Sequence, residues 1–424
     1  FDLVAWDIKH NCLTVLTNNA ASATLLKILQ CHTKTFITVI YTRDQNFSHR
    51  LMQLKTQQNH SAVSASEHCR NILNISLHNN SSDLHIAKTN HDLAICNRID
   101  GVLTNISTYH NLDHNQLINR LKVLASCDIA DNKRPQDGRF TWQHQDKQAD
   151  IRFSSCPMIG GEKIVLRILH KNNKQHALRE LGLQSTLLTQ LQYQLMQASG
   201  LILVVGPTGS GKTTTLYSAI NQLNDSTRNI VTIEDPIEYQ ISGINQIAIN
   251  ELAGLDFTHA LRASLRQDPD VIFIGEIRDR ETAQIAISAA LTGHLVLSTL
   301  HTRDAWQTLI RLRQLGIDHD LICNSLRCVV AQRLCRRLCA HCNKDANCEY
   351  CNSGYSGRSA LFEFLPITNS IKNLLCCNSL PPNPPKLEHY HTLSNAAHYA
   401  ISNKITDKPE INRVLGDIYC SETL

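Results

Sequence analysis

The twenty residues LILVVGPTGSGKTTTLYSAI, at 201–220, restrict the fold more than any other stretch of this chain. An apolar run too short for a helix stops at Gly206 and reads as a buried strand. A glycine-rich loop follows, and then helical spacing of apolar residues. Gly206, Pro207, Thr208, Gly209, Ser210, Gly211, Lys212 and Thr213, with Thr214 next, fit the pattern Gly, four residues, Gly-Lys-Thr. Glycines let backbone N–H groups turn inward around phosphate oxygens, and the positive end of the following helix adds to the attraction. Lys212 offers a point charge to β- and γ-phosphates, and the Thr213 hydroxyl suits a Mg²⁺ ion. The alternative is a glycine turn with no ligand, but a strand before it and a helix after it argue against that.

Three further strand-like runs place chemistry downstream. NIVTI (229–233) runs into EDPIEY, so Glu234, Asp235 and Glu238 fall where α/β sheets bind ligands, at a strand's carboxyl end. They are candidates to hold the attacking water or the metal, although an acidic loop alone is more often a solvated turn. VIFIG (271–275) runs into Glu276, a weak metal-site signature that gains force from the phosphate-binding loop upstream. ETAQIAISAALTG (281–293) reads as a helix closed by Gly293. HLVLST then carries His294 at its start, with His301 just past its end. A lone histidine is usually structural; two bracketing a strand beside a nucleotide site are candidates to sense the γ-phosphate.

The N-terminal part differs in period. Residues 1–62 mix alternating stretches such as TFITVIYT with polar loops and carry no recognisable chemistry. Residues 63–170 open with a helical pattern. Paired strands follow in LHIA and LAIC, a helix in NQLINRLKVLAS, and strands from Phe140 to Leu169. That is an α+β domain, and KNNKQHA (171–177) is a polar linker.

Composition bounds the function more loosely. A chain of 424 residues, 42% hydrophobic and 18% charged, has room for two or three domains with a sizeable core. A net charge of +4 is too small to argue for nucleic acid. No apolar run approaches the ~18–20 residues of a membrane span. The start FDLVAWDIKH has no basic region leading into an apolar core, so neither a span nor a signal peptide is expected. Sixteen cysteines without an export signal fit reduced thiols in a cytosolic protein. Cys339 and Cys342 form one C-x-x-C and Cys348 and Cys351 another, five residues apart, which is a tetrahedral Zn²⁺ pattern. Cys335 and His341 lie close enough to be rival ligands.

Taken in order, the loop, IVTIEDPIEY, LRQDPDVIFIGEIRDRETAQIAISAALTGHLVLSTLHT and the upstream SSDLHI, RIDGVL, LKVLASCDIA, PQDGRF and GEKIVLRIL resemble the secretion ATPases. Within them the chain looks like the type II secretion and type IV pilus assembly branch, nearest the pilus assembly type. The resemblance implies a RecA-like P-loop ATPase domain at 178–424. Before it would come a PAS-like second N-terminal domain at 63–170 and a partial first one at 1–62, and a zinc subdomain would lie at about 335–358. It makes EDPIE the family's Asp box and STLHT its His box. Glu238 becomes the catalytic base, Glu276 the Walker B glutamate, and Glu234, His294 and His301 part of the nucleotide site. Arg139, Arg152 and Arg167 become arginines brought to the phosphates, against a bland reading as surface arginines on strand faces.

The implied cofactors are ATP, Mg²⁺ and Zn²⁺. The implied assembly is a homohexamer, cytoplasmic and peripheral at the inner membrane. It would work on a platform protein there, without nucleic acid. Departures from the family are Cys96 before RIDGVL, Arg303 after HT, the short insert between the cysteine pairs and the PPNPP tail at 381–385. Competing readings are a pilus retraction ATPase, whose family members lack the paired C-x-x-C, a RecA- or helicase-type nucleic-acid motor, and a non-catalytic structural subunit.

Overall fold

The computed structural model describes residues 3–9, 12–17, 36–41, 65–88, 92–110, 114–171, 176–342, 348, 350–375 and 380–416; the first three ranges, Asp92 and residues 107–110 are described as backbone alone. Most of the 1–62 region, the middle of the 171–177 linker, the insert at 343–347 and the last eight residues lie outside the described residues. The chain divides into two compact units: residues 1–168 with 339–354, and 169–338 with 355–424.

In the first unit, β1 (Leu3–Lys9), β2 (Cys12–Thr17) and β3 (Phe36–Tyr41) form a small sheet, β1 antiparallel and β3 parallel to β2. The larger sheet contains β4 (Asp83–Lys88), β5 (Asp92–Ile99), β6 (Val102–His110), β7 (Gln136–His144), β8 (Lys147–Met158) and β9 (Gly161–His170). Their order is β6-β5-β4-β9-β8-β7. One face is covered by α1 (Ala65–His78) and α2 (His114–Leu124). In α1 the buried residues Cys69, Ile72, Leu73, Ser76 and Leu77 form one stripe at helical spacing. The strands answer with period two: Ala149, Ile151 and Phe153 on β8, and Ile164, Leu166 and Ile168 on β9, point into the same core. Each buried Ile, Leu or Phe among them contributes ~1.5–3 kcal/mol by leaving water.

The second unit is a seven-stranded sheet layered by helices on both faces. Its strands are β10 (Gly200–Val205), β11 (Ile230–Glu234), β12 (Asn245–Ala248), β13 (Val271–Ile274), β14 (Leu295–Leu300), β15 (Leu326–Leu338) and β16 (Tyr355–Pro366). They lie in the order β12-β11-β13-β14-β10-β15-β16, and only β16 runs antiparallel to its neighbour. Burial on both faces explains why LILVV shows no alternation: Leu201, Leu203 and Val205 enter one core, Ile202 and Val204 the other.

The helices α3 (Ser185–Leu195) and α4 (Lys212–Leu223) lie against the second core. The first core takes α5 (Phe257–Ser264), α6 (Arg280–Leu291), α7 (Ala305–Gln314), α8 (His319–Ser325) and α9 (Asn369–Leu375). A small cluster of its own seats α10 (Leu393–Ser402) and α11 (Lys408–Leu415) against β15 and β16. Helix starts are set by aspartates: Asp256, Asp279, Asp304 and Asp407 each accept a backbone N–H of the first turn, worth ~1 kcal/mol apiece. Because β10, β11, β13 and β14 are parallel, the loops that leave them gather at one edge of the sheet.

Among the described residues no helix is long and apolar enough to cross a membrane.

Candidate active site

The phosphate-binding pattern sits between β10 and α4, and its backbone explains its glycines. Gly206 has φ +151°, and a Cβ there would lie 2.6 Å from the Gln332 carbonyl oxygen. Gly211 precedes α4 at φ +88°, where a Cβ would meet Gln332 Nε2 at 2.8 Å. Any side chain would push the loop off β15. The first N–H groups of α4 have no partner within the helix, so the loop mouth suits an anion. Ser210 Oγ is buried there without a hydrogen-bond partner, which fits a cradle built for a polar ligand.

Lys212 opens α4 and is 9% exposed. Its Nζ donates to the carbonyls of Gly206 (2.8 Å) and Pro207 (3.0 Å), folding the ammonium over the loop. Burial pushes it down to about 8; Glu276 pulls it up, and Arg333 pushes it down further. Thr213 and Thr214 follow in the first turn, half-buried and exposed.

Glu276 stands two residues past β13. Its Oε1 accepts from Arg278 Nη2 at 2.5 Å, and its Oε2 lies 3.3 Å from His301 Nε2. Burial alone would raise this carboxyl, but the hydrogen bonds and charges of Arg278 and His301 outweigh it and hold it below the usual carboxylate range. His301 is the first residue after β14. Lys212, Glu276 and His301 therefore come from three strand-end loops to one edge of the sheet.

The acidic loop after β11 divides its carboxylates. Glu234 is 3% exposed and turned inward: Tyr217 Oη, Thr232 Oγ1 (2.6 Å) and Gln246 Nε2 (3.3 Å) donate to it. Its place is in a buried network, not at the loop mouth. Asp235 and Glu238 are exposed, and Asp235 adds to the field on Arg278.

His294 does not join this constellation. It precedes β14 at the opposite edge of the sheet, where its carbonyl accepts from Gly200 N (3.1 Å) and its ring Nδ1 lies 3.0 Å from the Ala289 carbonyl. The six residues of β14 separate it from His301, roughly 20 Å of extended chain.

Four groups at this edge had little sequence signal. Tyr217 lies one turn and a half into α4. Gln332 accepts from Thr215 Oγ1 at 2.7 Å. Arg333 donates to the Gln332 carbonyl (2.9 Å) and to the Arg303 carbonyl, and its Nη1 is 3.2 Å from where a Gly206 Cβ would be. Arg278 is legible only as a charge two residues past Glu276.

In the first unit, Arg139 on β7 lies directly opposite Arg152 on β8, both on the sheet face away from the helices. Arg167 on β9 is engaged: its Nε is 3.5 Å from Asp83 Oδ1, and Asp83 Oδ2 is 3.4 Å from Arg98 Nε.

The thiols of Cys339, Cys342, Cys348 and Cys351 all lie within 4.8 Å of one another. Cys339 and Cys348 sulfurs are 3.8 Å apart, Cys342 and Cys351 sulfurs 3.6 Å. A tetrahedral metal with metal–sulfur bonds of ~2.3 Å spaces its sulfurs about 3.8 Å apart, so the donor set fits. The rivals are occupied elsewhere. Cys335 is buried in β15 with its thiol on the Ser359 carbonyl, and burial pushes it up to about 11. His341 donates its backbone N–H to Cys339 Sγ and sets its ring against Tyr350.

Comparison with known proteins adds lineage. Residues 57–413 match the family described as type II/IV secretion system protein. The chain is 39% identical to the protein transport protein HofB homolog of Escherichia coli (strain K12), over 97% of this chain and 96% of that protein. It is 43% identical to the type IV pilus assembly ATPase PilB of Myxococcus xanthus over 69% of this chain, and spans 57% of that protein's length. Among solved structures, the pilus retraction motor PilT with bound ADP aligns over 85% of this chain and 98% of its own, with TM-score 0.57 and 25% identity.

Proposed function

This chain belongs to the type II/IV secretion system protein family and is an ATPase of it; we propose that it is the motor that powers type IV pilus assembly or type II protein secretion. The observation that carries this is the meeting of Lys212, Glu276 and His301 beside a glycine loop shaped for phosphate.

The residues divide the work. Loop N–H groups from Gly206 to Thr214 bind the phosphates of ATP, and Lys212 leaves the Gly206 and Pro207 carbonyls for them. Thr213 and Glu276 are the residues that would hold Mg²⁺, and the ion would supply positive charge to the phosphates of ATP. Glu238 takes the proton of the attacking water. His301 steadies Glu276 and reports on the γ-phosphate. Arg139 and Arg152 answer the charge that grows on the transferring phosphoryl group. Glu234 supports the site from within. His294 is left to the far edge.

Cys339, Cys342, Cys348 and Cys351 hold a structural Zn²⁺, and this paired motif favours assembly or secretion over retraction. The C-terminal domain is RecA-like: β14 lies between the phosphate-loop strand and the strand of Glu276. The first unit's six-stranded antiparallel sheet under two helices supports a PAS-like domain. The working form is a cytoplasmic homohexamer at the inner membrane, acting on a platform protein.

Phosphate release by the purified chain with ATP and Mg²⁺ tests the reading. Glu238→Gln is expected to keep nucleotide binding and lose hydrolysis, since an amide takes no proton. A chain that binds nucleotide and never turns it over would be a structural subunit.

A further inference from the structure

Tyr217 is fully buried, on the helix that starts at the phosphate loop. Its ring stands edge-on to Tyr239 of the acidic loop (centroids 4.6 Å) and to Phe273 of β13 (6.1 Å). Its hydroxyl makes two contacts of opposite sense. It donates to Glu234 Oε2, and it accepts the backbone N–H of Glu238 at 3.4 Å. One hydroxyl has the proton and lone pairs for both. Gln246 finishes the clamp: its Nε2 donates to Glu234 and to the Tyr239 carbonyl (3.2 Å), and its Oε1 accepts from Ile241 N (2.8 Å). The segment 238–241 is thus tied at three backbone points.

We propose that Tyr217 is a positioning residue for hydrolysis, holding the backbone of Glu238 in register with the phosphate loop that shares its helix. This rests on the reading of Glu238 as the base. Glu234 fixes the hydroxyl's direction, which gives that buried carboxylate a purpose at a distance from ATP. Burial, and then the hydrogen bond and charge of Glu234, push the phenol far above its ordinary range, so it stays protonated at every working pH. A base placed within about 1 Å is what such a tie secures, and a misplacement of that size costs up to ~100-fold in rate.

The test uses the full chain with ATP and Mg²⁺. Tyr217→Phe keeps the ring and removes the tie. Turnover (kcat) is expected to fall at least about tenfold, with nucleotide affinity within about twofold. In a Glu238→Gln background the same substitution is expected to change the residual single-turnover rate by less than about twofold, because the residue it acts through is already disabled. Normal turnover in Tyr217→Phe beside an inactive Glu238→Gln overturns this proposal alone. A full-sized loss repeated in the Glu238→Gln background overturns it too, since that is what general loosening does. An active Glu238→Gln overturns the base assignment, and this proposal with it. Hydrogen exchange of the unmutated chain gives a reading that needs no variant. The Glu238 amide is expected to be protected, and exchange at the rate of an open loop overturns the tie.

Discussion

Removing the metal ligands tests the part of the account that geometry makes most specific. In Cys348→Ser, Cys351→Ser the perturbation takes one sulfur from each close pair, leaving Cys339 and Cys342 alone. The two close spacings of 3.8 and 3.6 Å match the edge of a tetrahedron around zinc. A site of this kind is worth ~10–16 kcal/mol in small peptides at neutral pH. Closing the short loop between the pairs costs far less, since each doubling of loop length adds only ~0.6 kcal/mol. The parent chain, purified under reducing and chelator-free conditions, is therefore expected to carry about one zinc per chain by elemental analysis. The double variant is expected to carry nearly none.

The damage should stay local. β15 and β16 are paired from Cys328–Pro366 to Leu338–Tyr355, so the hairpin persists below the lost site. Far-UV circular dichroism is expected to be almost unchanged, and protease cleavage is expected to appear between residues 339 and 354. A metal-free parent would refute the reasoning. Zinc retained by the double variant would show that Cys335 or His341 is a ligand, against their observed partners.

Glu410 gives the pH dependence. Burial would raise its carboxyl, but hydrogen bonds from Arg413 and Arg336 push it down to about 2, against 4.5 unfolded. Its contribution is present above about pH 4.5 and is lost as pH falls toward 2. Glu410→Gln removes the charge that the partly exposed Arg336 and the exposed Arg413 answer, so it is expected to cost ~1–3 kcal/mol at pH 7 and to flatten the acid limb of thermal unfolding measured against pH. Arg139→Ala and Arg152→Ala are each expected to lower kcat about tenfold or more with little change in nucleotide affinity, as a transition-state contact behaves. Loss of affinity at constant kcat would assign those arginines to ground-state binding.

The sequence made the sheet legible where local pattern and tertiary role agree. LILVV and VIFIG are short and apolar, NIVTI nearly so, and each is closed by glycine or acid, as suits strands buried on both faces. The same holds for the alternation in LHIA and LAIC, whose strands pair as β4 and β5. The loop was legible because its glycines answer a steric demand that only glycine meets. What escaped depends on pairing at long range. Tyr217 reads as one more apolar position of a helix until Glu234, seventeen residues on, is seen to accept its hydrogen bond. Gln332 and Arg333 lie in an apolar run more than a hundred residues from the loop they abut. The sequence has His294 and His301 bracketing one strand, and the length of β14 puts them at opposite edges of the sheet.

On the proposed reading, this edge hydrolyses ATP with the help of a charge delivered by Lys212. Steady-state phosphate release by the full chain, measured beside Lys212→Ala with the fold checked by circular dichroism, tests it most directly. Clear turnover is expected in the parent, and a loss of about 100-fold or more in the variant, since the ammonium folded over the loop is the charge proposed to meet the phosphates. Near-parental turnover in a folded Lys212→Ala chain would contradict it.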